Sequence, residues 1–432
     1  MRQMRGMNLN EPTGTSAIKS TPFRFYISGL VLGTLAIQIQ TVAIAWQVFQ
    51  LTKADHKVAA LALGGIGLAE VIPFVGTVLF AGHLADNHNR HRIACSALGS
   101  MLLISLVLFF IPNFETPTVK LILLYSVVVL GGFARSFLTT SRQAMLAEIL
   151  PREQMSNAIR WRNTLFELAS VLGPGIGGVM LWQGGASLAY TVMSVLLLSA
   201  LISTSCVRTS QKLQSKVREP IFQSLRVGIN FMLGKRVMLG AFTLDLFAVL
   251  LGGAVALLPL FAEMLQVGEL GFGVLRAATS SGAVITSICL IFLSSFKNAG
   301  RALYISFAIF GFCIIGFGFA IPIAEFLGFG LIGAFILSCL FLFISGAADA
   351  VNVIIRQTIL QTSVPPEMMG RVSAVTAVFI GCSNELGMAE SGLMARLFGT
   401  VNSVIIGGLA VFGVMGITAW QFPEISKLKK IG

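Results

Sequence analysis

Six ionisable residues of this 432-residue chain stand inside long apolar stretches: Glu70, Arg135, Glu167, Asp245, Asp349 and Glu385. A charge at the centre of a membrane-spanning helix costs roughly 2.5–3.5 kcal/mol on insertion scales, so such residues are rare without a role. A carboxylate there can bind a proton in one conformation and release it in another. An arginine can anchor an anion, or hold that carboxylate until an anion arrives. The same residues can also pair only to keep helices in register. Arg160, Arg276 and Glu390 lie at span edges and read as register or headgroup-reaching charges. Gln38 and Gln40 are candidate cavity donors, or polar glue between helices.

Other chemistries find no support. The chain has no phosphate-cradling Gly-rich loop followed by Lys-Ser/Thr, and no grouping of nucleophile, base and metal ligands, so an enzyme is not expected. His83, His88 and His91 cluster in a loop without acidic co-ligands, which argues against a metal site. The six cysteines lie singly in apolar runs and read as free, buried residues. No cofactor and no metal are expected.

The elements that must position these charges are membrane helices. Hydrophobic residues make up 55% of the chain and charged ones 11%, with a mean hydropathy of +0.86. Soluble chains carry roughly 25% charge, so this one could not cover a water-facing surface. The net charge of +12 is read as topology signal rather than as a nucleic-acid surface. The first apolar run, from Phe25, is too long for a signal-peptide core and is expected to be an uncleaved first span.

Apolar runs long enough to cross a bilayer predict twelve spans. The uncharged stretch Leu168–Val207 is twice the needed length, and Gly184-Gly185 marks a turn within it. With the N-terminus inside, twenty-two of the thirty Lys and Arg residues fall in inner loops and four in outer ones. The inner set includes Arg142 and Arg356. Both termini are therefore expected in the cytoplasm of a multi-pass inner (plasma) membrane protein.

The two halves match at a fixed offset of 214: Arg142-Gln143 with Arg356-Gln357, Pro151 with Pro365, Gly173 with Gly387, and Gly178 with Gly392. Arg135 and Asp349 occupy matched positions of opposite charge, which predicts a coupled pair across the two halves. Six spans per half put both copies in one orientation, a parallel repeat that points to a transporter rocking about a midplane site. The expected organisation is a six-helix bundle over 1–207, a basic cytoplasmic linker over 208–236 and a second bundle over 237–432. Within the linker, Pro220 and the recurrence of Ile221, Leu225, Ile229 and Met232 predict a helix lying on the membrane surface.

After span two comes Gly82-His83-Leu84-Ala85-Asp86-Asn87-His88-Asn89-Arg90-His91-Arg92. This resembles the loop between spans two and three of the major facilitator superfamily. Gly82, Asp86, Arg90 and Arg92 fit that pattern, while Asn87 and Asn89 depart from it. Asn tolerates positive φ, so Asn89 could still make the turn. The resemblance covers essentially the whole chain and implies that Asp86 gates against the start of span eleven. Gly173, Pro174, Gly177 and Gly178 look like the tail of the superfamily's antiporter motif, whose upstream glycines are absent; plain helix packing explains them equally well. The segments Ser141–Glu153 and Ala81–Asp86 resemble the branch that includes the enterobactin exporter.

The expectation is an all-α membrane protein: twelve transmembrane helices in two six-helix bundles related by a parallel pseudo-two-fold repeat. Its function would be secondary active transport, proton-coupled export of amphipathic organic molecules such as siderophores or drugs, with the coupling proton on Glu70, Glu167, Asp245 or Asp349. Alternatives are proton-symport uptake of a small metabolite and a non-transporting membrane sensor or scaffold. Expected partners are the small-molecule substrate, protons and the lipid bilayer, with no nucleic acid, for a monomer.

Overall fold

The computed structural model describes residues 17–111, 114–207, 221–292 and 298–428. Among these every regular element is helical. In chain order they are α1 (Thr21–Thr52), α2 (His56–Asn87), α3 (Arg90–Leu108), α4 (Pro117–Ile149), α5 (Arg152–Ser205), α6 (Ile221–Leu233), α7 (Arg236–Gly252), α8 (Leu258–Met264), α9 (Gly268–Phe292), α10 (Ala299–Gly318), α11 (Ala320–Phe326), α12 (Gly330–Ser363), α13 (Pro366–Phe398), α14 (Thr400–Gln421) and α15 (Pro423–Ser426). Among the described residues eleven helical stretches are long and apolar enough to cross a membrane, with α5 counted as one.

Helix boundaries follow local chemistry. Proline occupies the first turn of α1, α4 and α13, where its missing N–H leaves no bond unmade. At 1.5 Å per residue, the 54 residues of α5 would run about 80 Å unbroken, far beyond a bilayer. The helix breaks at Gly184 and Gly185, the latter at φ +63°, so the turn expected there exists. Two other expected spans are also interrupted. The run around 237–262 breaks at Gly253–Ala254 before α8, and the run around 302–324 breaks at Phe319 between α10 and α11. Asn89 departs from its expected positive φ: it sits at −65° and caps α3, its side chain accepting from the Arg92 N–H at 3.1 Å.

Five helices, α1 to α5, pack among themselves, and α7, α9, α10, α12, α13 and α14 do likewise. The groups meet along α2 with α13 and α5 with α9. The linker helix α6 docks on α13, where a Cβ at Gly228 would lie 3.0 Å from the Arg371 carbonyl. Residues 208–220 of the linker lie outside the described residues. The cysteines are only partly as expected: Cys313 is buried, but Cys206 and Cys289 are exposed. Apolar runs of a membrane chain face outward as well as inward, so apolar neighbours do not guarantee burial.

The long helices run back and forth, which gives the molecule a Lys53 end and an Asn89 end. At the Lys53 end the two groups are fastened. Trp46 of α1 stacks on Phe272 of α9 at 5.7 Å and donates to Glu269 at 3.3 Å. His56 of α2 meets Glu263 of α8 at 3.2 Å. A Cβ on Gly178 would lie 2.7 Å from the Gly273 Cα, and one on Gly64 would lie 2.9 Å from the Gly392 Cα. Gly178 and Gly392 are repeat mates, so each seam carries the same glycine-on-glycine crossing. Small residues let backbones approach and gain van der Waals contact where lipid offers no hydrophobic drive.

Candidate functional site

Toward the Asn89 end, α1, α4 and α5 enclose a cleft of about 430 Å³. That is within the range of pockets that hold drug-sized ligands. Helical spacing builds its walls. Arg135, Leu138 or Thr139, and Arg142 share one face of α4; Arg162, Phe166 and Ser170 share one face of α5; Tyr26, Leu30, Thr34 and Gln38 come from α1. Among the described residues three guanidiniums line the cleft and no carboxylate does.

Each guanidinium is held differently. Arg142, 9% exposed, donates to the Gly29 carbonyl at 2.8 Å, and its own carbonyl accepts from the Tyr26 hydroxyl at 3.1 Å. Gly33 makes room for it, since a Cβ there would lie 2.7 Å from Nη2. Arg162 is pinned by the Asn163 side-chain oxygen at 2.9 Å. Arg135 forms an ion pair with Glu70 of α2, and the two share a small, mostly apolar pocket with Gln40. Among the described residues Arg135 alone lines both that pocket and the cleft. Gln38 lines the cleft and reaches the Ser170 carbonyl at 3.5 Å.

The sequence-derived residues scatter around this cleft. Glu70 and Arg135 are brought together; Glu167 is exposed and outside the lining. Asp245 is paired with Arg356 in the other group, with side chains 7% and 4% exposed. Glu385 has a buried oxygen without a hydrogen-bond partner and feels the charges of Arg135 and Arg276. Asp349 is half-buried and makes no ion pair among the described residues. The pair expected between Arg135 and Asp349 is therefore not formed: matched repeat positions give equivalence, not contact, and Arg135 finds its carboxylate within its own group. A double-mutant cycle in thermal stability should show Arg135 and Glu70 coupled by about 0.5–3 kcal/mol, with Arg135 and Asp349 additive to about 0.5 kcal/mol. The opposite ranking would remove the Glu70 pair.

Of the loop motif, Arg90 pairs with Glu148 at the end of α4 at 2.7 Å and Arg92 is exposed. The surroundings of Gly82 and the Asp86 side chain lie outside the described residues. The glycine motif faces two ways. Gly173 and Gly177 lie against Gln38 and Val42 of α1, while Pro174 and Gly178 lie against Gly273 of α9.

Sequence reasoning missed Arg142, Arg162 and Arg356. Arg142 and Arg356 were counted as inner-loop charges, yet both are buried within helices. Their identity at the repeat offset was one signal; the seven-residue step from Arg135 to Arg142, two turns along one helix face, was another.

A family profile described as transmembrane secretion effector matches residues 13–430. The enterobactin exporter EntS of Shigella flexneri is 24% identical over 405 residues, 93% of this chain and 92% of that protein. Its counterpart in Shigella boydii serotype 18 is 25% identical over 408 residues, with the same coverage. Among solved structures, the D-xylose–proton symporter superposes with a TM-score of 0.72 at 13% identity, covering 94% of this chain and 98% of that one. The nucleoside transporter NupG gives 0.70 at 12%, covering 93% and 99%. These last two show the fold. A helical membrane chain matched along nearly its whole length by such a profile is a transporter and not an enzyme: it belongs to the transmembrane secretion effector family of the major facilitator superfamily.

Proposed function

We propose that this protein exports amphipathic organic anions across the inner membrane, coupled to protons, by alternating access between two six-helix bundles of twelve spans in all. The observation that carries this reading is the cleft lined by Arg135, Arg142 and Arg162, with no carboxylate in its wall among the described residues. Arg142 is buried and meets a neutral carbonyl, and an anionic ligand beside it offsets the cost of that buried charge with charge-assisted hydrogen bonds. Tyr26 and Phe166 offer rings to an aromatic or apolar body beside the charge. The resemblance to enterobactin exporters supports the outward direction.

The Lys and Arg asymmetry supports a cytoplasmic Asn89 end, so the fastened Lys53 end corresponds to an inward-open state. In the opposite, outward-open state Asp86, Arg90 and Arg92 would gate the inner side. The test is a flux screen in everted vesicles with an imposed pH gradient. The probes are two amphipathic anions, anilinonaphthalene sulfonate and taurocholate, and one cation, tetraphenylphosphonium. Gradient-dependent accumulation of the anions is expected. Accumulation of the cation alone would overturn the anion preference, and accumulation only in right-side-out vesicles would make the protein an importer.

A further inference from the structure

The repeat places Arg142 over Arg356, and the structure gives the two arginines one geometry and different partners. Each reaches from the fourth long helix of its group to the first: Arg142 from α4 to α1, Arg356 from α12 to α7. Arg142 meets a neutral carbonyl beside the cleft and forms no ion pair among the described residues. Arg356 meets the Asp245 carboxylate, lies 5.5 Å from the Phe242 ring centroid, and is absent from the cleft lining. The polar cluster continues along the same face of α12. Asn352, 1% exposed, is bonded to Ser306 and leaves its side-chain nitrogen unpartnered, and Asp349 follows one turn away. The Arg356 Nε is also buried without a hydrogen-bond partner.

Electrostatic sign separates this pair from Glu70–Arg135. An anion that settles on Arg135 competes with Glu70 for the same guanidinium and so favours a proton on Glu70. Anion and proton then bind together, which is the linkage of symport. Exchange needs a proton site that substrate does not touch, linked to it through conformation alone.

We propose that Asp245–Arg356 is that site: Asp245 takes a proton from water in one facing state and returns it to water in the other, while the anion travels beside Arg142. The proposal rests on the export reading above. Protonation removes the attraction that ties α7 to α12 and leaves a buried cation, which loosens the tie. Of the elements packed on α7, α12 carries Arg356, which pairs with Asp245, and Asp349 two turns along the helix from Arg356, and α10 carries Tyr304. The other charges are placed elsewhere: α14 carries no ionisable residue, Glu385, Glu390 and the exposed Arg396 of α13 lie toward the Lys53 end, Arg371 of α13, Arg226 of α6 and the exposed Arg301 of α10 lie toward the Asn89 end, and Glu424 of α15 is held by Arg236 at 3.2 Å.

The test uses full-length protein in proteoliposomes with anilinonaphthalene sulfonate as probe. Asp245→Asn with Arg356→Gln removes both charges and leaves no orphan. The double variant should keep probe exchange within about threefold while losing pH-gradient-driven accumulation by about tenfold or more. Retained accumulation would overturn the proposal. So would joint loss of exchange and accumulation in protein that still melts cooperatively, since the pair would then be structural. If the double variant does not fold, Asp245→Glu serves instead: it keeps a titrating group, so drive should persist with a displaced pH profile, and an unmoved profile overturns the assignment. Wild-type protein that exchanges probe but ignores the gradient would overturn proton coupling itself, a separate failure.

Discussion

Arg142→Gln should weaken binding of an anionic substrate by about 10- to 100-fold, because a hydrogen bond to a charged group contributes about 1.5–3 kcal/mol and each 1.4 kcal/mol is tenfold in affinity. Arg142 is the most buried of the three guanidiniums lining the cleft and meets no carboxylate among the described residues. Its charge is not dispersed by an ion pair, as that of Arg135 is by Glu70. Gln can still donate toward the Gly29 carbonyl, so α1 and α4 should stay packed and the thermal midpoint should move little. Arg142→Lys should recover part of the affinity, since it restores charge without the planar fork. Equilibrium binding of anilinonaphthalene sulfonate to purified protein measures both, with tetraphenylphosphonium as the control of opposite sign. An unchanged dissociation constant for the anion in Arg142→Gln would take the substrate out of this cleft.

The charges that proved informative were visible in the sequence to different degrees. Glu70, Arg135, Asp245 and Asp349 stood out because each interrupts an apolar run, where the solvation cost makes any charge conspicuous. Which of them meet was not visible. Glu70 and Arg135 are 65 positions apart, on helices whose contact exists only once α2 and α4 pack, and Asp245 and Arg356 are joined in the same way by α7 and α12. Arg142 was hidden for a different reason. It sits near the end of a span, where basic residues usually mark topology, and nothing local says that Gly29 and Gly33 leave a slot for it on α1. The glycines at 173, 177, 178 and 392 were legible as close-packing positions, but their partners on α1, α9 and α2 were not. The turn at Gly184-Gly185 could be read directly, because two adjacent glycines in an apolar stretch of double length leave few other interpretations.

Those glycines carry the second large effect. Gly178→Leu should trap the protein with its Lys53 end open. A Cβ at residue 178 would lie 2.7 Å from the Gly273 Cα and 3.1 Å from the Glu269 carbonyl, which are backbone atoms and cannot swing aside as a flexible side chain would. Overpacking of this kind costs typically about 1–3 kcal/mol. In a transporter that alternates between seams closed and seams open, that cost falls on the closed state alone, because α5 and α9 part when the seam opens. Where the two states are near balance, about 2 kcal/mol shifts their ratio roughly 30-fold at 1.4 kcal/mol per tenfold. Transport should then fail although the protein remains inserted. A cysteine at Ser391, 3% exposed beside the repeat-related crossing at Gly392, reports the state once the six native cysteines are replaced. It should be nearly inert to an impermeant maleimide in the parent and reactive in Gly178→Leu. Gly413→Ala is the matched control, since a Cβ there meets nothing within 4 Å. The crossing on α5 and α9 and the reporter on α13 belong to different seams, so a rise in labelling means that both open as one motion. Labelling that stays at the parent level in a folded, inactive Gly178→Leu would show that the crossings hold the helices together without setting which end is open.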